Sequence, residues 1–149
     1  MKYIVIFLLT AVGTFIIDQS IKTLFVEGYY RAGDCINLEL HYNKGVAFSM
    51  FESLGPYLKW IQGLFVLIIL YVVFKDGYIK RYAFPVGLLI GGALGNVYDR
   101  FIREGVVDYV AWHCGFNYAV FNYADVAIDL AFVWIVISLY FSKEDENSQ

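Results

Sequence analysis

Four apolar stretches, at about residues 3–26, 57–74, 82–101 and 125–141, take up most of this 149-residue chain. Each is close to the roughly 20 residues a helix needs to cross bilayer hydrocarbon, where a crossing segment must satisfy its own backbone hydrogen bonds. Composition agrees, at 60% hydrophobic, 19% aromatic and only 17% charged residues, far more apolar than a soluble domain of this size. The expected fold class is therefore an all-α transmembrane bundle of four helices, forming one polytopic domain over residues 1–149. A net charge of -3 without any Lys/Arg block excludes nucleic acid as a partner, because phosphate binding needs a concentrated basic footprint. Lys2 ahead of an apolar run, with Ala11-Val12-Gly13 as a small-residue site, has some of the look of a cleavable signal peptide. The run continues well past Gly13, which favours a span.

Four spans put both termini on one side. Lys75, Lys80 and Arg81 crowd the short loop between spans two and three, and Lys2 and Lys143 flank span ends. Arg31, Lys44, Arg100 and Arg103 fall on the other side, but the density in the short loop makes that loop, and with it both termini, cytoplasmic.

The connections carry their own patterns. Ile36, Leu38, Leu40 and Tyr42 alternate with Asn37, Glu39, His41 and Asn43, the period of a half-buried strand. Asn43-Lys44-Gly45 supplies turn chemistry, and residues 46–51 are expected to return as a partner strand. The result would be a small extracytoplasmic sheet between the first and second spans. The second outer loop, residues 102–124, is dense in Tyr109, Trp112, Phe116, Tyr118, Phe121 and Tyr123, rings that favour the headgroup layer. Residues 143–149 form a charged tail expected to fray. Cys35 and Cys114 fall in the two outer loops, where the compartment can be oxidising; whether they pair depends on a distance that sequence does not give.

Polar residues converge at one depth. At 1.5 Å per residue, Asp18 lies roughly 22 Å from the inner end of span one and Asn96 roughly 21 Å from the start of span three, so both reach the outer third. Asp125 opens span four, with Asp108 and Asn122 just before it. Taken singly, each group has a plain explanation. Asp18 and Lys22 fit an i,i+4 ion pair, Asn96, Asp99 and Arg100 a clamp at a span end, and Gly91, Gly92 and Gly95 close helix packing. Asp125 complements the positive end of its helix, and Asp129, one turn deeper, fits a buried group hydrogen-bonded to a neighbouring helix. Their convergence is what the separate explanations leave out. Ionisable groups near hydrocarbon cost roughly 2.5 to 3.5 kcal/mol each on insertion scales.

Metal hydrolysis is poorly supported, because the only histidines are His41 and His113 and there is no HExxH or CxxC. A Ser/His/Asp system lacks a nucleophile-elbow context. Two carboxylates suffice for a different reaction. If Asp108 and Asp125 come together, like-charge repulsion makes them share a proton, and one can deprotonate a water while the other protonates a carbonyl oxygen. No cofactor is implied. The alternative is a small transporter or proton channel using intramembrane carboxylates, which predicts acids staggered across the bilayer rather than crowded at one end.

The chain resembles a known family, the bacterial lipoprotein signal peptidases, or signal peptidase II. The resemblance runs through Asp18 and Lys22, NKGVAFS at residues 43–49, GGALGNVYDR at 91–100, VVDYV at 106–110 and FNYADVAI at 121–128. It implies a membrane aspartic endopeptidase of the bacterial inner membrane that removes signal peptides from prolipoproteins, cutting before a diacylglyceryl cysteine, and that works as a monomer among membrane lipids. It also implies a β-cradle on the outer face. The catalytic pair carries over to Asp108 and Asp125; Asp18, Lys22, Asn43, Gly45, Asn96, Arg100, Asn122 and Ala124 carry over as supporting or substrate-binding positions. The chain departs from the usual pattern at Tyr109, where Phe is commoner, and at Tyr123, where an aliphatic residue is usual; Asp129 matches no motif.

Overall fold

The computed structural model describes residues 1–45, 54–103, 105–116 and 119–147. Four helices fall where the apolar stretches place them: α1 (Lys2–Val26), α2 (Gly55–Lys75), α3 (Ile79–Ile102) and α4 (Tyr123–Asn147). At 1.5 Å per residue, α1 alone is about 37 Å long, more than the hydrocarbon thickness. It stops at a Schellman turn, in which Gly28 takes φ 100° and its N–H donates to the Phe25 carbonyl while that of Tyr29 donates to Leu24. Only a residue without a Cβ adopts that backbone freely.

Three helices, α1, α2 and Tyr123–Phe141 of α4, are long and apolar enough to cross a membrane. Four such spans were expected, and α3 is the exception. The reason lies in its packing, for α3 contacts α1, α2 and α4 and has more residues hidden in the protein than lipid-facing neighbours such as α2. A helix lined by protein can carry Asn96, Asp99 and Arg100 without exposing them to hydrocarbon. Its glycines serve contact. A Cβ on Gly91 would come within 2.5 Å of the Ala11 carbonyl oxygen, one on Gly92 within 2.7 Å of the Ala124 oxygen, and one on Gly95 would collide with the Asp18 carboxylate. The inner part of the bundle closes over Phe7, Ala11, Val66, Val73, Tyr82, Val86 and Ile90, while Leu9, Phe65, Leu67 and Phe132 remain exposed on the outer surface.

The sheet differs from the expected hairpin. The strand β1 (Ile36–Asn43) pairs antiparallel with β2 (Val106–Trp112), so it joins the first outer connection to the second; the expected return strand at 46–51 lies outside the described residues. The alternation in β1 also breaks. Leu38 pairs with Val110 but His41 with Asp108, leaving one extra residue on β1. Such a bulge flips the faces beyond it: Leu38 packs on the core beneath β2, whereas Leu40 and Tyr42 are exposed and Asn43 turns inward. In β2 the two faces divide the work. Val107 and Tyr109 pack with Phe25, whose ring stacks on Tyr109 at 4.3 Å between centroids, and Val106 and Asp108 face a cleft. Phe121 bonds back to Val110 through both backbone groups, which delivers the next residue, Asn122, beside Asp108. Cys35 and Cys114 form a disulfide with Cα atoms 4.6 Å apart, joining the two connections at the far end of the sheet. The tail expected to fray instead continues α4 as far as Asn147; its lysine and glutamates are good helix formers.

Candidate active site

Asp108 and Asp125 line one open cleft of about 560 Å³, together with Asn43, Gln62, Asn96, Arg100 and Asp129. Its floor comes from α3, its sides from α2 and α4, and its roof from β2 and residues 119–121.

Amide groups hold the two acids. The Asn122 side-chain amide donates to Asp108 Oδ1 at 2.7 Å and that of Asn43 to Asp108 Oδ2 at 3.1 Å. For Asp125, Asn96 Nδ2 donates to Oδ1 at 2.9 Å and the Asn122 backbone N–H to Oδ2 at 3.1 Å. Asn122 closes its own ring, since its Oδ1 accepts from the Asp125 N–H at 2.9 Å; this is a helix N-cap with a reciprocal acid at N3. One fully buried asparagine thus touches both carboxylates. Burial first, and then the neighbouring Asp125 charge, push the Asp108 carboxyl up to about 6 despite the two amide donors.

Behind the pair lies a fully buried charge cluster. Lys22 Nζ is 2.8 Å from Asp18 Oδ2, 2.8 Å from Asp99 Oδ2 and 2.9 Å from Asn96 Oδ1. Removing one partner from such a set leaves an uncompensated buried charge. The cluster also fixes backbone: Asp18 Oδ1 accepts from Ala124 N–H at 3.1 Å, and Asp99 Oδ2 from Val107 N–H at 3.2 Å. Each of these bonds anchors a residue adjacent to a candidate acid. Asp18 and Lys22 are therefore more than the i,i+4 pair their spacing explains. Arg100 reaches across the cleft floor, donating to Gln62 Oε1 at 3.0 Å and to the Gly45 carbonyl, while Gly45 N–H donates to Asn43 Oδ1 at 3.0 Å. The guanidinium thereby shapes the turn that presents Asn43.

Eight of the ten candidate positions thus lie in the cleft or bond directly to groups that do, and Asp18 and Ala124 stand one step further back, bonded to each other and joined through Lys22 to Asn96. Sequence reasoning missed Gln62, Gln19 and Arg103. Gln19 and Arg103 both bond Asp99, and a lone glutamine within the apolar run of α2 was the available signal for Gln62. Asp129 is placed differently from its expectation. It is exposed and lines the cleft, with no hydrogen bond or ion pair among the described residues, rather than buried against a neighbouring helix.

Fold and site together define a multi-pass helical membrane protein with a carboxylate-lined cleft at one end of its bundle. The profile of the Signal peptidase (SPase) II family matches residues 10–141, and the chain belongs to this family of membrane proteases. It is 72% identical over 141 residues to the lipoprotein signal peptidase of Sulfurovum sp. (strain NBC37-1), covering 95% of this chain and 97% of that protein. With the lipoprotein signal peptidase of Sulfurimonas denitrificans it shares 55% identity over 98% of its own length and 95% of the relative's. Its backbone superposes on a bacterial membrane enzyme solved by the in meso method at 2.3 Å with a TM-score of 0.80, at 26% identity, over 96% of this chain and 91% of that one.

Proposed function

We propose that this chain is an aspartic endopeptidase of the bacterial inner membrane that releases signal peptides from prolipoproteins by hydrolysing the peptide bond before the diacylglyceryl cysteine. The observation that carries the reading is the bridging of Asp108 and Asp125 by Asn122 inside one open cleft. Two acids held so close titrate as a unit and retain one proton between them over a range of pH. The ionised member takes a proton from water as the water oxygen bonds to the scissile carbon, and the protonated member gives its proton to the carbonyl oxygen. Collapse of the tetrahedral adduct breaks the C–N bond as the newly protonated acid passes its proton to the departing amine and the other acid takes one back from an adduct hydroxyl, which restores the pair without a covalent intermediate. Asn43, Asn96, Asn122 and Arg100 position the acids; Asp18, Lys22, Gly45 and Ala124 hold the backbone that carries them.

In the proposed orientation both termini are cytoplasmic, the cleft opens at the extracytoplasmic face, and a single domain acts as a monomer. Family membership and the crowding of Asp18, Asp99, Asp108 and Asp125 around one cleft both weigh against a transporter, which needs acids staggered across the membrane. The test is incubation of the purified protein with a lipidated proprotein, with products identified by mass. The expected products are the free signal peptide and a mature chain beginning at the lipidated cysteine. An intact substrate, or a cut elsewhere, rejects the reading.

A further inference from the structure

Asp129 lies one turn beyond Asp125 on the same face of α4, within the membrane-spanning segment Tyr123–Phe141. It is exposed, lines the same cleft as Gln62 and Arg100, and has no hydrogen bond or ion pair among the described residues. An ionisable group at that depth is costly unless it finds a partner. The partner is therefore to be sought in what enters the cleft.

Resting on the peptidase reading above, we infer that Asp129 is a substrate-positioning residue that accepts a hydrogen bond from a backbone N–H of the signal peptide shortly before the cut. A peptide bond inside a helix has its groups engaged within the helix, so the segment at the acids must unwind to be cut. Each unwound residue then exposes an N–H that lipid cannot satisfy. One helical turn sets Asp129 about 6 Å deeper than Asp125, and an extended chain advances about 3.3 Å per residue. The carboxylate therefore meets the chain about two residues before the one that supplies the scissile carbonyl, which is the third residue before the lipidated cysteine. The carboxylate can only accept, and the unwound backbone has donors without acceptors; the two needs match. The acid would thus select an extended entry segment while making no demand on its side chains.

The experiment compares Asp129→Leu with the unaltered protein on two lipidated substrates: the ordinary one, and one in which the amide of that third residue is replaced by an ester, which removes the N–H. Leucine suits an exposed position in a membrane helix, so a folding defect is not expected, and Asp129→Asn keeps an acceptor oxygen. On the ordinary substrate Asp129→Leu should raise KM about tenfold, the size of a hydrogen bond to a charged group, with kcat held within about twofold. Asp129→Asn should fall between the two. The ester should raise KM for the unaltered protein to a similar degree and have no further effect on Asp129→Leu. An unchanged KM in Asp129→Leu, or effects of variant and ester that multiply, would overturn the inference. Failure of the unaltered protein to cut the ordinary substrate would instead reject the peptidase reading.

Discussion

At the scale of single residues, the side-chain and backbone donors to the two candidate acids are, among the described residues, amides. Asn43, Asn96 and Asn122 touch the carboxylates, while the ammonium of Lys22 makes its contacts to Asp18, Asp99 and the Asn96 side-chain oxygen, one residue behind Asp125. A cation in direct contact would hold both acids ionised, and the shared proton that acid–base hydrolysis needs would be lost. The arrangement costs stability. Because the Asp108 carboxyl rises from 3.8 to about 6 on folding, the folded state binds a proton more tightly than the unfolded one between those values. Stability therefore falls as pH rises through that window and is level above it. Asp108→Asn removes the penalty, about 3 kcal/mol for a shift of this size, against about 1 kcal/mol for a hydrogen bond lost when an amide replaces an acceptor-only group. The variant should lack cleavage activity, as should Asp125→Asn, yet be more stable than the parent by about 2 kcal/mol at neutral pH. Thermal unfolding in detergent across pH 4 to 8 checks this, and parallel curves for parent and variant would show that the penalty does not exist. These residues were legible because polar atoms stand out in an apolar chain. Asp129 was misplaced because i+4 spacing says which face a residue shares, not whether another helix covers that face.

Among the elements, the helices were legible to within a few residues, since a span is written in contiguous sequence, except at the C-terminal end of α4, which runs on to Asn147. The sheet was not. VVDYV has the β-branched and aromatic content of a strand, but its partner lies on the far side of two helices, and no local pattern encodes that pairing. The bulge between Leu38 and His41 was equally hidden, and with it the turning of Asn43 toward Asp108. The disulfide shows the same limit, because its 79-residue separation says nothing of the 4.6 Å between Cα atoms that makes it possible. Joining the strand ends restricts the unfolded chain, an effect worth about 2–4 kcal/mol for loops of this order. The variant Cys35→Ala/Cys114→Ala should melt below the parent in detergent, and reductant should lower the parent's melting point toward that of the variant without affecting the variant. Two free thiols in protein isolated without reductant, or a parent melt indifferent to reductant, would remove the disulfide from the account of stability.

For the whole molecule, the division of surfaces bears on how substrate is found. Leu9, Phe65, Leu67 and Phe132 are exposed on the helices, as suits contact with lipid chains, whereas the cleft sits at the end of the bundle where β2 and residues 119–121 roof it. A peptide bond must therefore be presented at one particular depth, beneath that roof, before the acids can act on it. In the proposed reaction the substrate's own acyl chains do this. Burial in the bilayer contributes about 0.8 kcal/mol per CH₂, so a diacylated cysteine would be confined to the membrane edge. Confinement of this kind replaces a three-dimensional search by a lateral one and removes much of the orientational entropy that association costs. A proprotein lacking the lipid keeps the same peptide sequence but loses the depth constraint on the bond itself. Its initial rate, in the same detergent and at matched concentration, should fall by at least about tenfold, the equivalent of 1.4 kcal/mol, mainly through a higher KM. Equal rates on lipidated and unlipidated substrate would mean that the cleft reads the peptide alone, and that membrane depth does not position the bond.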